Sequence, residues 1–572
     1  MTETLVPSPG LRTSAYSAVP PVVETGGRWP VGLGLCTLAF LFCILLTVTP
    51  LTRMPDPLFH LHIAWGSLLG VASQWLPANL GPTYQKSSAS IEFFCLISLA
   101  FLCYCLSAFL VRRRVGERQL LTVRVCIWLG VTLAGAMYVI TPGLLSHDTL
   151  VYAGYSRLLA VYHVNPYFVV FANFPHDPLV PFDQWSQVNA VYGPIWLLVC
   201  ALPGFLLKPT LVSYVVAFRL IALLVHLLNT WLVARVLYER GCSRGTRTLG
   251  MLLYAWHPLI LLESALNGHN DGFMLTFVLL GALLVTRAER RGELARARGY
   301  LPPLGALMLA VLVKFAILPV VAVYLLFLLF RALRPTLEGS STGQMSRSNW
   351  RVAAWVLGCS CLVALLIALL GYAPFWAGRS LGAIIGSFTN NPASQYGENS
   401  LLRAVVNWLH LYPQQQANPV WLFLSWRRVW DIINYLAIIL YLVLAAGQFK
   451  KSQSVSALLA IMLAMMCLVL LITPWFFTWY VTWIVGLAVV CLPARRNRAL
   501  WSCFFLALTF SYSALSLYLF NQNLLGPNGY LTIFSDLVPP LGAFLLCWYT
   551  YGRSRRSLAT GVSQEPVLAP PP

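Results

Sequence analysis

The chain has 572 residues, of which 58% are hydrophobic and only 10% are charged. Soluble domains are about 45–50% apolar and about 25% charged, so this composition excludes a soluble enzyme, a disordered protein and a coiled coil. A polytopic membrane protein is the class that fits. The formal net charge of +20 fits Lys and Arg collected in cytoplasmic loops, since these residues are costly to translocate. We therefore expect the lipid bilayer as a partner and no nucleic acid.

Apolar runs of the length that membrane helices need recur along the whole chain. The run 303–333 contains Lys314 and Pro319, which predict two short helices rather than one long one. The composition predicts an all-α bundle of about 13–15 transmembrane helices. The runs are 31–50, 91–111, 122–141, 193–207, 211–237, 248–266, 271–286, 303–333, 352–373, 431–447, 455–473, 478–492, 499–519 and 534–551.

The basic residues between these runs predict the topology. If they are cytoplasmic, both termini lie inside, with disordered ends at 1–29 and 553–572 and a transmembrane domain over 30–552. Two large loops, 142–192 and 374–430, then face the extracytoplasmic side of a cell membrane. One conflict arises at Arg235 and the arginines after it, because a full span at 193–207 would place them outside. We therefore expect 193–207 to be re-entrant.

The first outer loop opens with a candidate catalytic acid. Ser146 is suited to cap a helix whose first turn contains Asp148, and i, i+4 spacing places Tyr152 on the same helical face. An amphipathic helix at this point is expected to lie along the membrane interface. Burial there would raise the pKa of Asp148 towards the range useful for a general base. The alternative is that the acid only stabilises a helix N-terminus.

A second polar cluster lies at the outer junction of two apolar runs. Ionisable groups at membrane depth are costly and usually functional. His269 and Asp271 could position a hydroxyl group or bind a divalent metal, although the chemistry requires none, and Asn267 and Asn270 could hydrogen-bond a sugar. The alternative is that Asn270 or Asp271 caps the next helix.

Three cations are candidate ligands for an anionic substrate: Arg157 on the interfacial helix, and Arg219 and Lys314 within apolar runs. Too few acids lie nearby in sequence to pair all three, so a lipid phosphate is expected as the missing anion. Arg219 is equally well explained as a snorkelling residue at the interface.

Further candidate binding residues lie later in the chain. Glu398 lies in the second outer loop, and Trp479 and Tyr480 belong to an aromatic corner at 474–483. This corner is either an ordinary interfacial belt or a surface that binds sugar faces or a lipid tail.

The order of these features resembles the C-type glycosyltransferase (GT-C) fold. The features are an acid after an early span, Asn-Pro-Tyr at 165–167 and Tyr-Gly-Pro-Ile-Trp at 192–196. The segments 266–271 and 474–480 are most similar to the actinobacterial polyprenol-phosphate-mannose-dependent α-mannosyltransferases, over roughly residues 90–520. The resemblance implies a polyprenyl-phosphate sugar donor in the outer leaflet, and it implies that Asp148 acts on the acceptor.

The sequence therefore predicts a membrane enzyme that moves a hexose, mannose by resemblance, to an extracytoplasmic glycan or glycolipid acceptor with inversion. A secondary transporter would also have many spans and charged membrane residues, but it would usually show internal repeats. A lipid-linked polysaccharide polymerase or ligase has similar chemistry on another fold. All three hypotheses remain open at this point.

Overall fold

The computed structural model describes residues 29–53, 82–114, 117–141, 144–208, 210–334, 347–389 and 420–491. Within these ranges the chain consists of α-helices joined by turns and short 3-10 or π-helical segments. The α-helices are α1 (Trp29–Arg53), α2 (Pro82–Arg114), α3 (Leu120–Val139), α4 (Asp148–Ala160), α5 (Pro194–Leu206), α6 (Leu211–Glu239), α7 (Arg244–Ala255), α8 (Pro258–Leu261), α9 (Asp271–Arg290), α10 (Ala297–Val311), α11 (Leu318–Ala332), α12 (Arg347–Trp376), α13 (Leu381–Thr389), α14 (Val420–Lys451), α15 (Val455–Ile472) and α16 (Thr482–Cys491).

The prediction of an all-α polytopic membrane protein is confirmed. Nine helices in the described ranges are long and apolar enough to cross a membrane, or ten if α7 and the segment 258–266 form one bent span. The predicted spans at 499–519 and 534–551 lie outside the described residues, so the total of about 13–15 stays a prediction. The predicted disordered ends also lie outside them, apart from Trp29, where α1 begins. Of the second outer loop, 374–430, the structure describes residues 374–389 and 420–430, and the latter belong to α14.

Two apolar runs are interrupted, and each interruption is followed by polar residues. The predicted break in 303–333 is confirmed, because α10 ends at Val311, α11 begins at Leu318 and Lys314 lies between them. The run 248–266 is bent by 54° between α7 and α8, where Pro258 cannot continue the preceding helix. Both turns bring polar residues to the same end of the bundle.

The opposite end of the bundle collects the basic residues. Glu239, at the end of α6, accepts hydrogen bonds from Arg287 and Arg290 at the end of α9. Arg124 of α3 donates to Thr248 of α7 at 2.9 Å. Other links at this end join α6 to α16 and α11 to α15: Arg240 to the Val490 carbonyl and Arg331 to the Gln453 carbonyl.

The arrangement of α5 and α6 removes the conflict in the topology. Helix α5 has only 13 residues, which is shorter than the roughly 17–25 residues of a membrane span. The end of α6, which carries Arg235, lies beside the basic residues of α9. The positive-inside rule requires these arginines to share the cytoplasmic side. A short α5 that does not cross is therefore consistent with the predicted re-entrant segment.

The expected helix after Ser146 is present as α4, but it does not have one buried and one exposed face. Nearly every residue of α4 is buried, on all sides of the helix, because α5 and α6 pack against it. Small residues such as Ala153 and Ser156 allow this close packing. The one-sided burial of an amphipathic helix is therefore not observed for α4, and its position along the membrane interface stays a prediction.

The turn before α5 packs tightly on the turn that carries Lys314. The Gly193 N–H donates to the Val313 carbonyl at 3.0 Å, and the Ile195 N–H donates to the Leu312 carbonyl at 3.1 Å. A Cβ atom at residue 193 would lie 2.0 Å from the Leu312 carbonyl oxygen. Only glycine permits this approach, so the turn at 192–194 and the turn at 312–314 behave as one unit.

We expect Gly193→Ala to destabilise the protein, because the added methyl group would force apart two segments of backbone. Overpacking of this kind costs about 1–3 kcal/mol, which a lower thermal midpoint of the detergent-purified protein would report. Gly358→Ala is the matched control, since a Cβ at residue 358 of α12 has nothing within 4 Å. Equal midpoints for the two variants would contradict the proposed packing.

Candidate functional site

A polar cluster lies at the end of the bundle opposite the basic residues. Its members come from α4, the turn before α5, the π-helical turn after α8, the start of α9 and the turn between α10 and α11. The cluster consists of Asp148, Tyr192, Glu263, Asn267, His269, Asp271 and Lys314.

Asp148 is held by contacts to one of its two carboxylate oxygens. The Ser146 hydroxyl accepts the backbone N–H of Asp148 at 3.3 Å and so supports the start of α4. Oδ2 accepts hydrogen bonds from Tyr192 at 2.9 Å and from Tyr152 at 3.3 Å. The His269 Nδ1 lies 3.4 Å from the same oxygen. The side chain is 17% exposed. Its other oxygen, Oδ1, has no hydrogen-bond partner among the described residues.

The pKa of Asp148 shifts in the direction opposite to the one expected from the sequence. Burial raises the pKa, but contact with His269, the hydrogen bond from Tyr192 and the positive charge of Lys314 outweigh burial and hold the pKa below its ordinary value. The expected rise was wrong, because these compensating groups come from distant parts of the chain. Asp148 is therefore ionised at neutral pH.

A π-helical turn at 262–266 presents the next carboxylate. Bulges of this type widen the helix and are frequent at functional sites. Buried Glu263 accepts a hydrogen bond from the Asn267 amide at 2.8 Å, and Asn267 in turn accepts the Leu145 N–H at 3.2 Å. Gly268 follows with φ +68°, and a Cβ there would lie 2.7 Å from a methyl group of Thr149. This turn aims His269 back towards α4.

His269 connects two carboxylates. Its Nε2 lies 3.3 Å from Glu263 Oε2, while its Nδ1 faces Asp148. The ring stacks on Trp479 with centroids 3.9 Å apart, and Trp479 stacks on Phe477 at 4.4 Å. The aromatic corner therefore fixes the plane of the imidazole ring.

Asp271 and Lys314 form an ion pair at 2.8 Å. Both this ammonium and the indole N–H of Trp483 donate to Oδ1 of Asp271, whereas its buried Oδ2 has no hydrogen-bond partner in the described structure. The Lys314 Nζ also lies 4.3 Å from the centre of the Tyr480 ring, a distance typical of a cation–π contact. Lys314 is 14% exposed, so its ammonium and Asp148 are the charges of the cluster that reach open space.

The alternative explanation of the second cluster, a simple helix cap, is not supported. Asn270 is the N-cap residue of α9, but its side chain makes no capping hydrogen bond. Both polar atoms of the Asn270 amide are buried without a partner among the described residues.

Two of the three predicted cations are bound to protein groups outside the cluster's pair of Asp271 and Lys314. Arg157 pairs with Asp177 at 2.7 Å, so a protein acid, and not a lipid phosphate, is its counter-charge in the described structure. Arg219 is buried and donates to the carbonyls of Thr141 and Leu266, each at 2.5 Å. The structure thus uses Arg219 to join the end of α3 to the π-helical turn. Glu398 lies outside the described residues.

Four residues at or near the cluster were not predicted as site residues from the sequence. Glu263 belongs to the polar segment but was not singled out, and Tyr192 was taken for a structural part of its turn. Trp483 lies four residues after Trp479, on the same helical face, and this spacing is the signal that could have identified it. Asp183 lies within a long loop, where no regular residue spacing could predict that its side chain is buried.

No group of three or more His, Cys, Asp or Glu side chains in the described ranges is arranged to hold a metal ion. In the cluster, both ring nitrogens of His269 face carboxylates. The residues present therefore do not favour a divalent metal at this position.

Asp183 is a second buried acid of the first outer loop. Its Oδ1 accepts the Trp185 N–H at 2.8 Å. Burial, together with the negative charge of Asp148, raises the pKa of Asp183 to about 7 despite this hydrogen bond.

We expect Asp183→Asn to stabilise the protein increasingly as the pH rises. Because the folded-state pKa is above the unfolded one, the stability that the acid contributes is complete below about pH 4 and is lost as the pH rises through 7. The advantage of the variant should widen by about 2–3 kcal/mol between pH 5 and pH 8, measured from thermal midpoints. Glu293→Gln, outside the buried loop, is the control, and a constant advantage of Asp183→Asn would refute the burial argument.

Comparison with known proteins places this cluster in a family. No curated protein and no solved structure matches the chain. A family model described as alpha-(1→6)-mannopyranosyltransferase, N-terminal domain, matches residues 60–333. This range contains every member of the polar cluster, from Asp148 to Lys314. The resemblance to the actinobacterial mannosyltransferases is thus confirmed, because residues 60–333 match the N-terminal domain of the alpha-(1→6)-mannopyranosyltransferase family.

Proposed function

We propose that the protein transfers a mannosyl residue from a polyprenyl-phosphate donor to a glycan or glycolipid acceptor at the extracytoplasmic face of the cell membrane, with inversion. The observation that carries this proposal is the pairing of an ionised carboxylate, Asp148, with an ammonium, Lys314, on the two sides of Tyr192. A base and a cation in one site are what glycosyl transfer from a phosphate requires. The family of residues 60–333 supports mannose as the sugar.

In the proposed reaction, Asp148 is the general base. An acceptor hydroxyl oxygen attacks the anomeric carbon, the bond from that carbon to the phosphate oxygen breaks, and the hydroxyl proton passes to Oδ1 of Asp148. Oδ1 suits this role because Tyr152, Tyr192 and His269 all contact Oδ2. These contacts fix the carboxylate, and orientation of this kind contributes much of the rate.

Lys314 stabilises the leaving group. When the bond to the sugar breaks, the polyprenyl phosphate keeps the electron pair and gains negative charge. The Lys314 ammonium donates one hydrogen bond to Asp271 and has three N–H groups in all, so donors remain for a phosphate oxygen. Arg157 and Arg219 are bound to protein groups, and we assign them structural roles.

The stereochemistry of the donor follows from inversion. The family name specifies an α-mannoside product. A single in-line displacement inverts the anomeric carbon, so the donor must carry a β-linked mannosyl phosphate. A retaining mechanism would need a second carboxylate as nucleophile, whereas Glu263 is buried beside His269 and Asp271 is buried and paired with Lys314.

Further contacts to the sugar would come from the polar atoms that the described structure leaves without partners. These are the Asn270 amide and Oδ2 of Asp271. Buried polar atoms are costly when unpaired, so hydroxyl groups of the substrate would satisfy them. Tyr480 and Trp479 would border the same space.

The sidedness follows from the charge distribution. Arginines of α3, α6, α9 and α11 lie at the end opposite the site. By the positive-inside rule, that end is cytoplasmic. The end that carries Asp148 would then face the extracytoplasmic side. Nucleotide sugars are absent from that side, and this supports a lipid-linked donor.

We expect Asp148→Asn to lower mannosyl transfer by about 10²–10⁴-fold, because a general base contributes a factor of this size. Membranes or purified protein would be supplied with labelled polyprenyl-phosphate mannose and an alkyl α-mannoside acceptor. The control is Glu293→Gln, a carboxyl-to-amide change at the basic end of the bundle, which should transfer like the wild type. Retention of most activity by Asp148→Asn would exclude it as the base, and no transfer by the wild type would favour a transporter.

We expect Lys314→Met to lose both activity and stability, since it leaves Asp271 buried without its cation. Removal of one partner of a buried pair costs about 3–5 kcal/mol. The double variant Lys314→Met/Asp271→Asn removes both charges but keeps an acceptor for the Trp483 N–H, so its thermal midpoint should recover while transfer stays low. Recovery of transfer in the double variant would show that Lys314 acts only through Asp271.

A further inference from the structure

The aromatic corner does more than hold His269, because its outer end meets a second tryptophan from the first outer loop. The ring centroids of Trp185 and Trp475 lie 6.0 Å apart in an edge arrangement. Trp475 continues inward to Phe477 at 5.7 Å. Phe477 stacks on Trp479, and Trp479 stacks on His269, whereas Trp185 is 37% exposed. The two tryptophans therefore form the outer end of the aromatic corner, which we call the mouth.

The loop around Trp185 has the composition of a surface for a neutral, hydroxyl-rich ligand. The segment 184–191 contains no charged residue, although it carries three amide side chains. Gln184 and Gln187 are exposed and Asn189 is half-buried. Amides both donate and accept hydrogen bonds, as sugar hydroxyls require, while the exposed indole offers an apolar face. The absence of charge speaks against an anionic ligand here.

The mouth is connected to the proposed base from two directions. Trp185 follows Asp183, whose pKa is affected by the charge of Asp148, and Trp475 leads through the aromatic corner to His269, which contacts Asp148. Lys314 lies elsewhere, against Tyr480 and Tyr192. A molecule whose hydroxyl reaches Asp148 from this mouth is thus the acceptor rather than the phosphate donor.

We propose that Trp185 and Trp475 form an acceptor subsite that binds a sugar residue beyond the one that receives mannose. This inference rests on the proposed function and names its acceptor more closely. An acceptor with two or more neutral sugars fills the subsite, whereas a single sugar on an alkyl chain leaves it empty. The two tryptophans then determine the preferred acceptor length.

Transfer to a length series tests the subsite. The probes are octyl glycosides of α-mannose and of α-(1→6)-linked mannobiose and mannotriose, with polyprenyl-phosphate mannose as donor. We expect kcat/KM of the wild type to rise with the second or third sugar. Trp185→Ala should lower kcat/KM for the longer acceptors about tenfold, a loss typical of a tryptophan that anchors a ligand. Transfer to the monosaccharide should be unchanged, and Trp185→Phe should keep part of the gain.

Trp355→Ala is the matched control, since Trp355 of α12 is 72% exposed on an apolar helix and belongs neither to the polar cluster nor to the aromatic corner. An equal loss with all three acceptors in Trp185→Ala would overturn the inference and assign Trp185 to the membrane interface. A length preference unaffected by Trp185→Ala would overturn it as well.

Binding separates this inference from the proposed function. Methyl α-(1→6)-mannotrioside should quench the tryptophan fluorescence of the wild type and bind about tenfold more weakly to Trp185→Ala. Binding without transfer to any acceptor would reject the proposed function and keep the subsite. Transfer to all acceptors with equal trioside binding by both proteins would reject the subsite alone.

Discussion

The ion pair between Lys314 and Asp271 is the interaction on which the outer end of the bundle depends. An unpaired charge in this apolar setting would be costly, so the turn between α10 and α11 must stay against the start of α9. Trp483 donates to the same carboxylate oxygen and thereby adds α16 to the contact. One buried carboxylate thus fixes three segments that are distant in sequence.

This constraint extends to the proposed base through backbone packing. The turn at 192–194 is docked on the turn at 312–314 by two backbone hydrogen bonds, and Tyr192 donates to Asp148. A displacement of Lys314 would therefore displace Tyr192 and change the contacts of Asp148. The fold holds base and cation at one separation, which a reaction between an acceptor hydroxyl and a phosphate-linked sugar requires.

Sequence patterns predicted the parts of the structure that depend on local order. Hydropathy located the spans, the charged residue Lys314 marked a helix break, and i, i+4 spacing brought Tyr152 to Asp148. The patterns failed where a partner comes from another segment. Asp177, the partner of Arg157, lies across an irregular loop, and the groups that lower the pKa of Asp148 come from three separate turns. The surroundings of such side chains depend on tertiary packing, which cannot be predicted from the spacing of residues along one segment.

The charge balance of the cluster explains how one lysine can serve two partners in the proposed reaction. Asp271 already neutralises Lys314 in the resting protein, so a further anion gains little from it. The donor phosphate is a diester with one negative charge, whereas the departing polyprenyl phosphate is a monoester whose second charge develops as the sugar leaves. That added charge is attracted by the remaining N–H donors of the ammonium while Lys314 keeps its contact with Asp271, so the attraction is stronger in the transition state than in the ground state. An interaction of this kind accelerates the chemical step instead of merely tightening donor binding.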